Sequence, residues 1–292
     1  MKIFRLITDF IRKSKHKKTL LTPELVSRNC DRKEEILKAR KLKIDKIKPF
    51  LKEITFDSLE NGALDFLSDR LKEKYSIIDT NNVSSHQYDQ FALEIINRHV
   101  DGLVLDCGCG KRSHYHDNVI NFEIVDYDTT DIIGVGEELP FKDNSFDAIL
   151  SLNVLEHVKD PFKASSEISR VLKNGGELYC VVPHLQPVHG YPDHYYNMTS
   201  RGLSNLFSSD LKITEQKVIS SGLPIYTLTW ILNSWANGLK GDSKNKFLKL
   251  TIQDLLNSPE TYKKQNFVTD LNDEKNFELA STTALWARKD NL

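Results

Sequence analysis

The run Val104-Leu105-Asp106-Cys107-Gly108-Cys109-Gly110 constrains this chain most. A short apolar strand passes through an acidic residue into two glycines. Glycine tolerates left-handed backbone and lets another group approach closely, so such a turn opens a ligand crevice at the carboxyl end of a strand. A helix after the turn would add free N–H groups. Strand-like and helix-like stretches then alternate: strands at 103–106, at 122–125 ending on Asp126, at 131–135, at 146–151 and at 177–183. Between the last two, Asp160-Pro161 supplies an N-cap and a first-turn proline, and Asn174-Gly175-Gly176 a stop. Strands separated by helices imply an α/β, Rossmann-like fold: a mostly parallel sheet with helices on both faces.

The turn alone does not choose a ligand. A dinucleotide fingerprint needs G-x-G-x-x-G, whereas Gly110 is followed by Lys111-Arg112-Ser113. The carboxylate of Asp106 would face a pyrophosphate, and it suits a cofactor with a positive end better. Further stations follow in order. They are Glu137-Glu138-Leu139-Pro140-Phe141, then Asn144-Ser145-Phe146-Asp147, Leu152-Asn153-Val154-Leu155-Glu156-His157-Val158, and Arg170-Val171-Leu172-Lys173-Asn174-Gly175-Gly176. With the glycine turn and Asp126, this ordered set resembles the class I S-adenosylmethionine-dependent methyltransferases, in particular the methyltransferase-11-like family. The resemblance covers about residues 103–183.

That resemblance implies S-adenosyl-L-methionine as cofactor. Gly108 and Gly110 would run against its methionine part and ribose, and Asp106 would lie near its amino end. Asp126 would hold the ribose hydroxyls and Leu139 would flank the adenine. Asn153 and Leu155 would sit where methyl group and acceptor meet. Two departures stand out. Val135 occupies the place of an acid that receives the adenine amino group, leaving backbone atoms or Glu137 to serve. The interval from Asp126 to Asp131 is too short for a crossover helix, since parallel neighbours need a dozen or more connecting residues. The family also closes its sheet with an antiparallel last strand, for which 211–218 and 277–287 are the candidates.

At 292 residues the chain can bury one sizeable core or a domain with appendages. We expect a basic helical N-terminal extension over 1–85 and a methyltransferase domain over 86–292. Helices are expected over 31–51, 58–75 and 86–99. Residues 1–50 hold sixteen Lys/Arg against six Asp/Glu, although the whole chain has a net charge of -1. The lead segment 1–20 patterns as a basic amphipathic helix, too short and polar to span a membrane. It suits docking on its own domain or on a partner, or peripheral contact with an anionic membrane surface. A secretory signal would place its basic run before the apolar part, not after it, so a cytoplasmic location is expected. Residues 101–160 carry thirteen acids against four basic residues, which disfavours nucleic acid.

After the last strand, residues 184–200 carry prolines, histidines and tyrosines and pattern as a lid-like loop. His189 is the first candidate for a catalytic base and His184 the second, because imidazole titrates near neutral pH. No metal is expected: Cys107-x-Cys109 lacks C-x-x-C spacing, and histidines on one loop do not define convergent ligands. An insertion over 220–275 follows, in which Pro224–Gly238 is expected to be a helix joining the His189 loop as a cover. The implied reaction is direct displacement of the methyl group onto a small-molecule, glycan or lipid-linked acceptor. The rival readings are a non-catalytic methyltransferase-like binding or scaffold protein and an NAD-dependent oxidoreductase.

Overall fold

The computed structural model describes residues 23–78, 84–85, 87–190 and 193–289. The lead segment 1–20 lies outside them. A long helix α1 (Pro23–Ile47) precedes a two-strand hairpin, β1 (Asp57–Ser58) and β2 (Leu64–Asp65), and two short helices, α2 (Asp69–Tyr75) and α3 (Gln90–Arg98). Then come β3 (Val104–Cys107), β4 (Val119–Glu123), β5 (Ile132–Ile133), β6 (Phe146–Leu152), α4 (Pro161–Val171), β7 (Leu172–Val181) and α5 (Ser200–Phe207). The chain continues through α6 (Pro224–Gly238), α7 (Gly241–Leu248), α8 (Ile252–Leu255), α9 (Asn266–Thr269) and α10 (Asp273–Leu279).

The sheet has seven strands in the order β1-β2-β5-β4-β3-β6-β7, antiparallel only between β1 and β2. Register sorts its side chains into two faces. Val104 pairs with Val119 and Ala148, and this row packs under Ala92, Ile95 and Ile96 of α3. The next row, Leu105, Ile120 and Ile149, turns the other way, onto a larger core shared with α1, α4 and α5. Period-two alternation makes each strand serve both layers.

Two crossovers lack helices. Residues 108–118 join β3 to β4, and 124–131 join β4 to β5, without a helical turn in either. The second matches the short interval in the sequence. The absence of a helix after the glycine turn corrects the expectation of one there. The face left bare is covered by α1, whose Ile44 and Ile47 enter the core beside Ile120, Phe122 and Ile132. Arg40 and Lys43 come with them, each 1% exposed. Both cations converge on buried Asp131, Lys43 Nζ at 2.6 Å and Arg40 Nε at 3.4 Å. Arg40 also donates to the carbonyls of Asn61 and Asp128 at 2.6 Å each. Part of the basic excess of the first fifty residues is therefore structural.

Residues before 86 contribute to the same sheet and core as those after it. The helix expected over 58–75 is corrected to a hairpin followed by α2. Asn61-Gly62 is a strong hairpin-turn pair, and Gly62 holds φ 80° there while Leu59 and Ala63 bond across the turn. Strand two runs Val119–Glu123, so Asp126 lies beyond its end. Neither 211–218 nor 277–287 forms a strand; the antiparallel pair of the sheet lies at its opposite edge. The start of 277–287 is held in α10, where Asn272 caps Lys275 N and Lys275 pairs with Glu278, both favouring helix. The helix Pro224–Gly238 is as expected. With α7 and α9 it builds a separate apolar cluster, in which Trp235 stacks on Phe247 at 5.4 Å.

Removing one partner from a buried ion cluster leaves uncompensated charge, at a cost of about 3–5 kcal/mol. Asp131→Ala is expected to lose stability on that scale in urea unfolding. Lys48→Ala breaks the exposed pair with Asp45 and should cost less than about 1 kcal/mol.

Candidate functional site

The carboxyl ends of β3, β4 and β6 form one rim. At β3, Gly108 and Gly110 adopt φ 81° and 60°, and Gly108 N and Cys109 N donate to the carbonyl of Phe122. Glycine is required at both positions for a second reason. A Cβ on Gly108 would collide with Val154 Cγ2, and one on Gly110 would meet the carbonyl oxygen of Ser84 at 2.8 Å. Asp106, fully buried, accepts from Tyr88 Oη at 2.6 Å and from Arg112 Nε and Nη2 at 2.8 and 3.1 Å. The guanidinium also lies 4.1 Å from the centre of the Tyr88 ring. Burial, and then the neighbouring Asp106, push the Tyr88 hydroxyl well above its usual range, which keeps it a proton donor.

At β4 the strand-end acid is Glu123. Its Oε2 accepts from Gly110 N at 2.7 Å and its Oε1 from Ile124 N at 2.8 Å. Burial raises its pKa, and the two backbone bonds act in the opposite sense. Asp126 is exposed and accepts from Asn61 Nδ2 at 2.9 Å. The signal for Glu123 is present in Val119-Ile120-Asn121-Phe122-Glu123, an apolar run closing on an acid. Of the adenine-side residues, Glu137 is buried and accepts from Lys159 N and Asp160 N, just before α4. Leu139 and Leu155 lie in the main core, while Asn153 stands exposed at the end of β6 with φ 56°.

Beyond β6 the chain places Glu156 and His157 beneath the loop 184–200. Tyr195 N and Tyr196 N donate to the carbonyl of Glu156, and His157 Nδ1 lies 2.8 Å from the carbonyl of Asp193. The rings of His157, His189 and His194 cluster, with centroids 4.4–5.5 Å apart, and His189 lies 5.1 Å from Trp230 of α6. Val188 N donates to the carbonyl of Glu278, tying the loop to α10. The loop and α6 are thus in contact, as the cover arrangement requires. His184 is exposed and lies outside this cluster of rings. Ligand atoms of Glu156, His157 and His189 fall within 4.8 Å of one another, a convergence that loop spacing alone does not indicate.

Glu156 is the most unusual group of the rim. It is fully buried, neither carboxyl oxygen has a hydrogen-bond partner, and desolvation pushes its pKa up to about 8. Desolvation also lowers the pKa of His157 and of His194. In the sequence, Glu156 and His157 stand out only as part of the Leu-Glu-His-Val station. An adjacent acid and imidazole, four and five residues past the end of a strand, are the signal that points to them.

Residues 105–180 match the family described as Methyltransferase domain. An uncharacterized protein of Methanocaldococcus jannaschii, MJ0638, is 44% identical over 93 residues, covering 28% of this chain and 41% of its own length. An uncharacterized methyltransferase of Bacillus subtilis, YcgJ, is 32% identical over 111 residues, covering 34% and 43%. The chain spans less than half the length of the curated relatives it matches here. Among solved structures, the [4+2]-cyclase SpnF aligns with 51% of this chain and 66% of its own at 20% identity and a TM-score of 0.35. The YcgJ crystal structure aligns with 53% and 87% at 16% identity and a TM-score of 0.33. Residues 105–180 are thus similar to a methyltransferase domain, and the cofactor that this similarity implies is S-adenosylmethionine.

The residues present fit such a cofactor at β3 and β4. Left-handed glycines keep the turn free of Cβ atoms, and Glu123 sets an acid against it, which suits a cationic sulfonium. Asp106 fits less directly, because Arg112 and Tyr88 already hold it.

Gly190 sets the loop against the histidines. It has φ 86°, and a Cβ there would collide with His157 Cε1. Gly190→Ala is expected to push the loop off His157. Faster limited proteolysis within 184–200 and a displaced His157 ring resonance, with far-ultraviolet circular dichroism unchanged, would record it.

Proposed function

We propose that this chain transfers a methyl group from S-adenosylmethionine to a small-molecule, glycan or lipid-linked acceptor by direct displacement. One observation carries the reading: Gly108 packs on Val154, two residues before Glu156, so the glycine turn and the histidine loop share a single rim. When bound, the cofactor supplies a methyl group on a positively charged sulfur. The chain's own residues then have three tasks. Gly108 and Gly110 let the cofactor's methionine part and ribose lie against the turn, and Glu123 accepts from the ribose hydroxyls. The loop 184–200, backed by Trp230, keeps water from the reacting centre and aligns the acceptor. His189 accepts the acceptor's proton at Nε2, since its Nδ1 lies 2.8 Å from the carbonyl of Pro187 and must carry a hydrogen.

In this reading the ribose acceptor is Glu123, in the place that the family resemblance gives to Asp126. Losing a charged acceptor costs about 1.5–3 kcal/mol, or roughly tenfold to hundredfold in affinity. Calorimetric titration with S-adenosylmethionine should show Glu123→Gln weakened on that scale and Asp126→Ala within about twofold of the parent. The reverse ranking would return the role to Asp126.

A second reading, a methyltransferase-like scaffold without turnover, is favoured by the Asp106–Arg112–Tyr88 cluster, which fills the place of the cofactor's amino end. Absence of S-adenosylmethionine binding by the full chain would select it. Titration with NAD addresses the oxidoreductase reading, against which the missing third glycine stands.

We further propose a cytoplasmic protein that touches anionic membrane surfaces through residues 1–20. Deleting them is expected to abolish co-sedimentation with phosphatidylserine vesicles while leaving thermal unfolding unchanged. Equal sedimentation of both forms would overturn this.

A further inference from the structure

We propose that Glu156, His157 and His189 form a binding site for one divalent transition-metal ion, with Zn²⁺ as the reference occupant. Three observations converge. The first is position: one ligand atom from each residue lies within 4.8 Å of the other two, and His157 Nε2 is already 3.8 Å from Glu156 Oε1. Ligands bound at about 2.0–2.2 Å around a tetrahedral zinc ion sit roughly 3.3 Å apart. Closing that gap takes a shift of up to about 1.5 Å, within reach of a ring carried on a loop.

The second is the unmet carboxylate. Glu156 is fully buried, and both its oxygens lack a partner. A buried carboxyl group without a partner is held in its uncharged form, and it is stable as a carboxylate when paired or when it coordinates a metal. No lysine or arginine pairs with it among the described residues, whereas Asp106 and Asp131 both have cations.

The third is the orientation of the histidines. His157 Nδ1 lies 2.8 Å from the carbonyl of Asp193, and His189 Nδ1 lies 2.8 Å from the carbonyl of Pro187. A carbonyl oxygen can only accept, so each Nδ1 carries the proton and each Nε2 keeps its lone pair. Metal-binding histidines are held in this way, by a second hydrogen bond that sets both tautomer and ring direction. His194 supports the arrangement through its Nδ1, which accepts from His189 N at 3.2 Å.

One carboxylate and two imidazoles suit zinc and its neighbours better than calcium or magnesium, which prefer all-oxygen sets. Three protein ligands leave a fourth position for water or for an oxygen of a bound molecule. An ion on His189 Nε2 takes the lone pair that would otherwise accept the acceptor's proton, so the metal-loaded chain is distinct from the form in which His189 acts as a base, and the test of the site does not depend on turnover.

Full-length protein, stripped with a chelator and dialysed, is titrated with Zn²⁺ against a fluorescent zinc indicator. One ion per chain is expected, bound more tightly than about 1 µM, about 8 kcal/mol, with a rise in Tm. Co²⁺ in its place should give the visible absorption of a tetrahedral site. His157→Ala and His189→Ala are each expected to weaken Zn²⁺ at least a hundredfold, and Glu156→Gln at least tenfold. His114→Ala, at an exposed histidine elsewhere, should leave binding unchanged. His189→Gln, a milder change on a loop, serves if the alanine variants unfold. Zinc binding weaker than micromolar in the parent, or equal affinity in parent and His189→Gln, would overturn the assignment.

Discussion

The buried carboxylate of Asp131 holds this fold together. Both helices that would normally cross between β3, β4 and β5 are missing, so one face of those strands has no local cover. Helix α1 covers it from far away in sequence, bringing Ile44 and Ile47 as apolar cover and Arg40 and Lys43 as buried cations. Asp131 accepts both cations and also takes the backbone N–H of Asn121 at 2.9 Å. One side chain thereby joins α1 to β4 and to the turn before β5. Trimming the crossovers and recruiting the basic helix are two halves of one solution.

The rim is best understood through its acids, which the fold treats in different ways. Asp106 is neutralised by Arg112, Glu123 by the N–H groups of Gly110 and Ile124, and Glu137 by the N–H groups of Lys159 and Asp160. The carboxyl group of Glu156 has no hydrogen-bond partner among the described residues, and its nearest basic group is His157 Nε2 at 3.8 Å. An unpaired buried carboxyl is costly, so its retention beside three histidines marks the place where a ligand completes the structure. The other three acids are architectural in this conformation, whatever further bonds their remaining lone pairs accept.

The loop 184–200 links that place to the C-terminal helices. His189 contacts Trp230, Val188 bonds to the carbonyl of Glu278, and Tyr195 and Tyr196 bond to the carbonyl of Glu156. The loop is therefore held on three sides by elements of unrelated sequence position. Each tie is a single hydrogen bond or ring contact, or a pair of them, so small changes at any of them can move His189 relative to the rim.

Signals written in neighbouring residues are legible in the sequence itself. The glycine turn, the Asp160-Pro161 helix start, the helix Pro224–Gly238, the alternating strands and the short interval before Asp131 all follow from local stereochemistry and period. The Asn61-Gly62 hairpin and the strand-end Glu123 are equally local, and the apolar residues around them obscure both. What only the tertiary structure decided depends on distance across the chain. That α1 replaces the missing crossovers, that Arg112 occupies Asp106, that 277–279 closes a helix and not a strand, and that His157 meets His189 while His184 stays outside are all of this kind. Sequence spacing encodes which way a side chain leaves its own backbone, but not which remote charge or ring it meets, and the burial that makes Glu156 unusual exists only once those remote parts have packed.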